Sequence, residues 1–191
     1  VQPIQQRRIR MIEYRTVDIA LEPGDKDSMK VGGYAARFNV PSLPLMIRGR
    51  QMREQIDPAA FNNSLNDPDI SLYWQHDNSQ PLATTLSGSL NMRTDSEGLI
   101  FDALLADTTL GRDAMELLRR GMVRQMSFGF TVREDKFDGD LRTLLDVDLA
   151  EISLVERAAY PQTNADARAL SRSHSFITQR NALRIKNWRK L

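Results

Sequence analysis

Met122 to Arg133 carries apolar residues at Val123, Met126, Phe128, Phe130 and Val132, and Leu141 to Val155 carries them at Leu145, Val147, Leu149, Ile152 and Leu154. A period close to two over this length marks β-strands and commits this part of the chain to sheet. Shorter segments of the same character precede it. Ile12 to Ala20 alternates Ile12, Tyr14 and Thr16 against Glu13 and Arg15, and Val31 to Val40 is small and apolar, with Gly32 and Gly33 marking close packing or a bulge. Ile70 to Trp74 is short and β-prone. Leu82 to Arg93 is long and rich in Ser and Thr, and Gly98 to Leu105 follows the turn Asp95-Ser-Glu-Gly98 as the second arm of a hairpin.

Helical signals are fewer. Asp57-Pro58 reads as an N-cap followed by proline at the first helical position, with Phe61 and Leu65 on one face beyond it. Leu110, Ala114, Leu117 and Leu118 form an apolar stripe at helical spacing. Asp107 or Thr109 can cap its start, and Gly121 stands where a left-handed residue ends a helix. A third helix is placed over Asn164 to Leu170. Many strands and two or three helices predict a mainly β, α+β domain. A closed or nearly closed barrel or a sandwich suits this pattern better than a doubly wound sheet.

The 191 residues include no cysteine and two histidines, His76 and His174. That excludes a disulfide framework, a thiolate metal site, a thiol nucleophile and a multi-histidine metal centre. No phosphate-binding loop, dinucleotide fingerprint or G-x-S-x-G elbow is present, so no cofactor is expected. No segment has the length and apolarity of a membrane span, and no secretory signal is seen. Charge is uneven. Residues 168–191 hold seven basic residues and no acid, which leaves 19 basic against 25 acidic residues, a net charge of −6, in residues 1–167. Such an asymmetry suggests an electrostatic partner for a dispensable basic tail, or a solvated extension.

Three segments can carry chemistry. In Leu72-Tyr-Trp-Gln-His-Asp77, the histidine of the acidic body ends a short β-prone run. It can serve as a general base or simply sit satisfied beside a turn. In Arg124-Gln-Met-Ser-Phe-Gly-Phe130, Ser127 interrupts an apolar run, either as a small interior residue or as a displayed nucleophile. In Asp146 to Glu156, strict alternation puts Glu151 on the face of Val147 and Leu149, unless a bulge shifts the register. A carboxylate among apolar neighbours needs a partner, which a histidine or an arginine can supply.

The order of these blocks is distinctive: Val31-Gly-Gly-Tyr-Ala-Ala-Arg-Phe-Asn39, Glu54-Gln-Ile-Asp-Pro-Ala-Ala-Phe61, Trp74-Gln-His-Asp77 with Pro81-Leu82, and Gly98-Leu99. They are followed by the helix Asp113 to Gly121, Met126-Ser-Phe-Gly-Phe130, Leu149-Ala-Glu-Ile-Ser-Leu-Val155 and Ala159-Tyr-Pro161. Together, over about residues 31–161, they resemble the prohead maturation proteases of tailed bacteriophages, serine proteases that share a fold with the herpesvirus assembly proteases. Ala83 departs from the glycine that many members have after Pro-Leu.

The resemblance implies a barrel ringed by a few helices. It implies Ser127 as nucleophile, His76 as general base and acid, and Glu151 as the residue that orients the histidine, with Asp148 and Asp77 as lesser candidates for the third role. It further implies a serine endopeptidase that cleaves the scaffolding region of the capsid protein, and itself, inside a procapsid assembling in the host cytoplasm. The expected partners are the capsid protein as substrate and a second copy of the chain, with neither nucleic acid nor membrane. The domain organisation expected is an N-terminal strand and loop region over 1–30, a protease domain over 31–161 and a basic extension over 162–191. A non-enzymatic assembly or scaffolding factor that keeps the fold is the alternative.

Overall fold

The computed structural model describes residues 11–18, 22–23, 28–66 and 69–156. The chain divides into two units, Val1–Arg157 and Ala158–Leu191, and every described residue belongs to the first. The basic tail and the helix expected over Asn164 to Leu170 therefore lie outside the described residues. Among the described residues, no helix is long and apolar enough to cross a membrane.

In chain order the elements are β1 (Glu13–Asp18), β2 (Glu22–Pro23), β3 (Lys30–Arg37), β4 (Leu45–Ile47) and β5 (Arg50–Ile56). A 3-10 turn (Ser64–Asn66) leads to β6 (Ser71–Trp74), β7 (Asp77–Thr84), β8 (Leu90–Thr94) and β9 (Gly98–Leu104). The helix α1 (Thr109–Arg119) precedes the long strands β10 (Val123–Asp138) and β11 (Leu141–Glu156). The fold is thus mostly β with a single α-helix among the described residues.

Seven strands form one sheet along the path β1-β10-β11-β5-β4, with β6 joined to β11 and β7 joined to β6. The other sheet runs β2-β3-β9-β8. β11 is antiparallel to β10 along one edge. Its other edge is divided, with β5 parallel to its first residues and β6 parallel to Glu151–Leu154. The two sheets share one core, in which Met126, Phe128, Ile152, Leu154 and Leu72 from the first meet Val31, Ala35, Leu99 and Phe101 from the second. The expected barrel is not drawn by these pairings. β1 and β4 are short, each pairs along one edge, and no ring of strands closes among the described residues.

The helix expected after Asp57 is a series of turns. Ala60 N–H donates to Asp57 O at 3.0 Å and Asn62 N–H to Ala59 O at 3.1 Å. The carbonyl of Ala60, which a helix would use on Ser64, instead accepts from Val147 N–H at 3.0 Å. Ser64 Oγ donates to Val147 O at 2.5 Å and accepts from Leu149 N–H at 2.8 Å. Docking onto β11 thus captures the groups that helix growth needs. Phe61 is still buried, as its apolar spacing suggests.

Helix α1 forms where the apolar stripe predicts. Its N-cap is Thr108, between the two expected candidates, and the Thr108 hydroxyl accepts from Gly111 N–H at 3.1 Å. At the far end Gly121 N–H donates to Leu118 O and Met122 N–H to Leu117 O. This pair of bonds is a Schellman motif, and it requires the φ of +66° that Gly121 adopts. The helix delivers the chain directly into β10. The segment expected as one strand over Leu82 to Arg93 is broken by the turn at 85–89, where Gly88 has φ +72°.

Candidate active site

The long hairpin β10–β11 contains the residue that decides how the site is built. Gly129 pairs with Glu151 and Phe130 with Leu149, so Ala150 is the extra residue of a β-bulge. The bulge inverts the alternation along β11. Val147 and Leu149 before it, and Ile152 and Leu154 after it, all enter the core. Glu151 and Ser153 therefore point to the opposite face, and the expectation from strict alternation, with Glu151 among Val147 and Leu149, is corrected by one residue of register.

That opposite face is polar across four strands. Thr16, Ser127, Ser153 and Tyr73 pair in one row from β1 through β10 and β11 to β6. Tyr14, Gly129, Glu151 and Ser71 form the adjacent row. Cross-strand partners share a face, so Ser127 and Glu151 are diagonal neighbours, roughly 7–8 Å apart in an ordinary sheet. An imidazole spans a gap of that size.

His76 comes to this face from the β6–β7 turn. Trp74 pairs with Asp77, which leaves Gln75 and His76 as a two-residue connection with φ of +53° and +60°. Both values are left-handed, the geometry of a type I′ hairpin turn, and neither residue is glycine. Gln75 N–H donates to Leu154 O at 3.0 Å and ties the turn to β11. A strained two-residue turn of this kind is costly and is characteristic of functional positions.

From this turn His76 Nδ1 lies 2.5 Å from Glu151 Oε1. Glu151 is buried and the His76 side chain is 24% exposed. With Nδ1–H donated to the carboxylate, Nε2 holds the lone pair that can accept a proton. Ser153 Oγ donates to the other oxygen, Glu151 Oε2, at 3.4 Å. Tyr14 packs against the imidazole, with ring centroids 4.6 Å apart and planes at 76°. Burial, and then the Glu151 charge, push the Tyr14 phenol up to about 12, so it stays neutral at working pH.

Of the three residues singled out in the sequence, His76 and Glu151 are in direct contact, and Ser127 shares their sheet face. Ser127 Oγ is buried and makes no hydrogen bond to a described residue. The lesser candidates are engaged elsewhere. Asp77 accepts from Ser79 N–H and Oγ and from Gln80 Nε2, and the Ser79 bonds hold its carboxyl below the usual range. Asp148 accepts from Arg133 Nε at 2.5 Å. Tyr14 and Ser153 were not visible as site residues in the sequence. Ser153 could have been found, since it lies two residues from Glu151, but Tyr14 is brought in by strand pairing across more than a hundred residues.

A carboxylate hydrogen-bonded to Nδ1 in this way fixes the ring and stabilises the imidazolium when Nε2 takes a proton. Comparison with known proteins points to a family that uses such chemistry. No relative was found among curated proteins. Among solved structures, the bacteriophage T4 capsid assembly protease, gp21, superposes with a TM-score of 0.48 at 9% identity, over 75% of this chain and 98% of that one. The sequence profile of the caudovirus prohead serine proteases matches residues 13–177, from the first residue of β1 to well past β11. With that match spanning most of its length, the chain belongs to the caudovirus prohead serine protease family.

Proposed function

We propose that this protein is a serine endopeptidase of capsid maturation, with Ser127 as nucleophile, His76 as general base and acid, and Glu151 as the group that orients and charges His76. The observation that carries this reading is the 2.5 Å contact between His76 Nδ1 and Glu151 Oε1 on the sheet face that also holds Ser127, in a chain of the prohead serine protease family. In the forward step Ser127 Oγ attacks the scissile carbonyl and His76 Nε2 takes its proton. Glu151 stabilises the imidazolium. His76 then gives the proton to the leaving amine, which departs and leaves an acyl-enzyme at Ser127. Water, deprotonated by His76, hydrolyses that ester and restores the hydroxyl. The substrates are the scaffolding region of the capsid protein and the protease itself, cleaved inside the procapsid.

The complete burial of Ser127 favours a second reading, a non-enzymatic assembly factor in which this serine is structural. Co-expression with the phage's capsid protein separates the two. The protease reading expects shortened capsid protein with the wild-type chain and full-length capsid protein with Ser127→Ala. Uncleaved capsid protein in both, or cleaved in both, would reject it.

A further inference from the structure

The strand β1 does more than extend the sheet. Its residues alternate between two tasks. Glu13 and Arg15 point to one side, into a buried ionic cluster with Arg142 of β11, Glu54 of β5 and Asp135 of β10. Arg15 donates to Glu54 at 2.7 and 3.0 Å and to Glu13 at 2.6 Å. Arg142 donates to Glu13 at 2.8 and 3.0 Å, to Glu54 at 2.9 Å and to Asp135 at 2.9 Å. The side chains of Arg142 and Glu54 are each 3% exposed. Tyr14, between the two anchored residues, points to the other side and meets His76.

The fit of Tyr14 is specific. Its ring lies over Gly129, where an added Cβ would come within 2.8 Å of Tyr14 Cε1 and 3.0 Å of Glu151 Cγ. Glycine is therefore what allows the ring to lie against both the carboxylate stem and the imidazole. His76 has a hydrogen bond to Glu151 on one side and the tyrosine ring on another. The hydrogen bond alone leaves the imidazole free to swing about its contact with the carboxylate, and a packed ring removes that freedom. Asp77, the acid next to His76 in the chain, is turned to Ser79 and Gln80.

We propose that Tyr14 is a positioning residue for the proposed protease reaction: β1, locked in register by the Arg142–Glu54–Glu13–Arg15 cluster, holds the Tyr14 ring against His76 and so fixes the imidazole in line with Ser127. This rests on the reading of His76 as the catalytic base. A one-residue slip of β1 would turn Tyr14 into the charge cluster and Glu13 or Arg15 toward His76, and the ionic anchors on both sides of Tyr14 oppose such a slip.

The test uses the full chain with Tyr14→Phe, Tyr14→Leu and Tyr14→Met, read by kcat and KM on a capsid-derived peptide and by nitrogen NMR of the two histidines. His174→Gln assigns the His76 signals. Tyr14→Phe should retain wild-type kcat and the downfield Nδ1–H signal of His76. Tyr14→Leu should lower kcat on the order of 10²-fold with little change in KM, and should broaden that signal. Should Tyr14→Leu fail to fold, Tyr14→Met fills similar volume without a planar ring and is expected to show the same kcat loss. Wild-type kcat and an unchanged Nδ1–H signal in the folded Leu or Met variant would overturn the proposal, as would a Phe variant as impaired as Leu. Ser127→Ala in the same assay keeps the two claims apart. If it cleaves like wild type, the nucleophile assignment fails, whereas an inactive Ser127→Ala beside a fully active Tyr14→Leu defeats the positioning role alone.

Discussion

His76 and Glu151 are separated by 75 residues in the chain and by 2.5 Å in the fold. The parallel pairing of β6 with β11 brings Ser71 beside Glu151, and the two-residue turn after Trp74 folds the histidine back over that carboxylate. Removing either partner has different consequences. His76→Ala takes away the proton acceptor and should reduce turnover about as severely as loss of the nucleophile, on the order of 10⁶-fold. Glu151→Gln keeps the shape and loses the charge, so a smaller loss, up to about 10⁴-fold, is expected. Steady-state cleavage of a capsid-derived peptide checks both. A harmless Glu151→Gln would remove that residue from the mechanism.

Ser127 is buried, and its hydroxyl has no hydrogen-bond partner among the described residues. A buried hydroxyl without a partner destabilises a fold by about 1–3 kcal/mol, and alanine removes it with almost no change in volume. Ser127→Ala is therefore expected to abolish proteolysis while raising stability by about 1 kcal/mol. Urea denaturation measures this. A loss of stability instead would mean that the hydroxyl is bonded within the fold.

The ionic cluster predicts a different signature. Arg142 joins buried Glu54 to the partly exposed Glu13 and Asp135. Arg142→Ala removes a donor shared by Glu13, Glu54 and Asp135 while Arg15 still holds Glu13 and Glu54, and should cost about 1–3 kcal/mol. Thermal melting at pH 7 provides the measurement, and a cost under about 1 kcal/mol would show that the cluster is screened.

Glu13 makes the cluster sensitive to acid. Burial alone would raise its pKa, but the Arg142 hydrogen bond and the Arg15 and Arg142 charges outweigh it and hold the carboxyl below the usual 4.5. A depressed carboxyl adds stability above its unfolded value and loses it as pH falls through the folded one. The melting temperature should thus fall more steeply below pH 4.5 in the wild type than in Glu13→Gln. Parallel curves would contradict the assignment.

Local sequence leaves His76, Ser127 and Glu151 each with an ordinary structural reading, and it is the order of the blocks, through the resemblance they carry, that groups the three; the fold places His76 against Glu151. What could not be read along the chain depends on pairing between strands. The bulge at Ala150 is set by how β11 meets β10, so alternation alone leaves the face of Glu151 open. The turns after Asp57 replace a helix because β11 takes the Ala60 carbonyl, a competitor absent from the local sequence. Tyr14 reads locally as one more residue of an alternating strand, and only its pairing with Gly129 carries it to His76. The long strands β10 and β11 are legible in their alternation, whereas β4 and β5 carry no such signal, and the pairings among the described residues do not close the expected barrel.

In the proposed protease, Ser127 is a nucleophile activated by the His76–Glu151 pair. Mapping the adduct of a fluorophosphonate probe by mass spectrometry tests it most directly, in the wild-type chain and in His76→Ala. A single adduct on Ser127 is expected in the wild type and none in His76→Ala. An adduct on Ser153, or labelling of Ser127 that survives loss of His76, would contradict it.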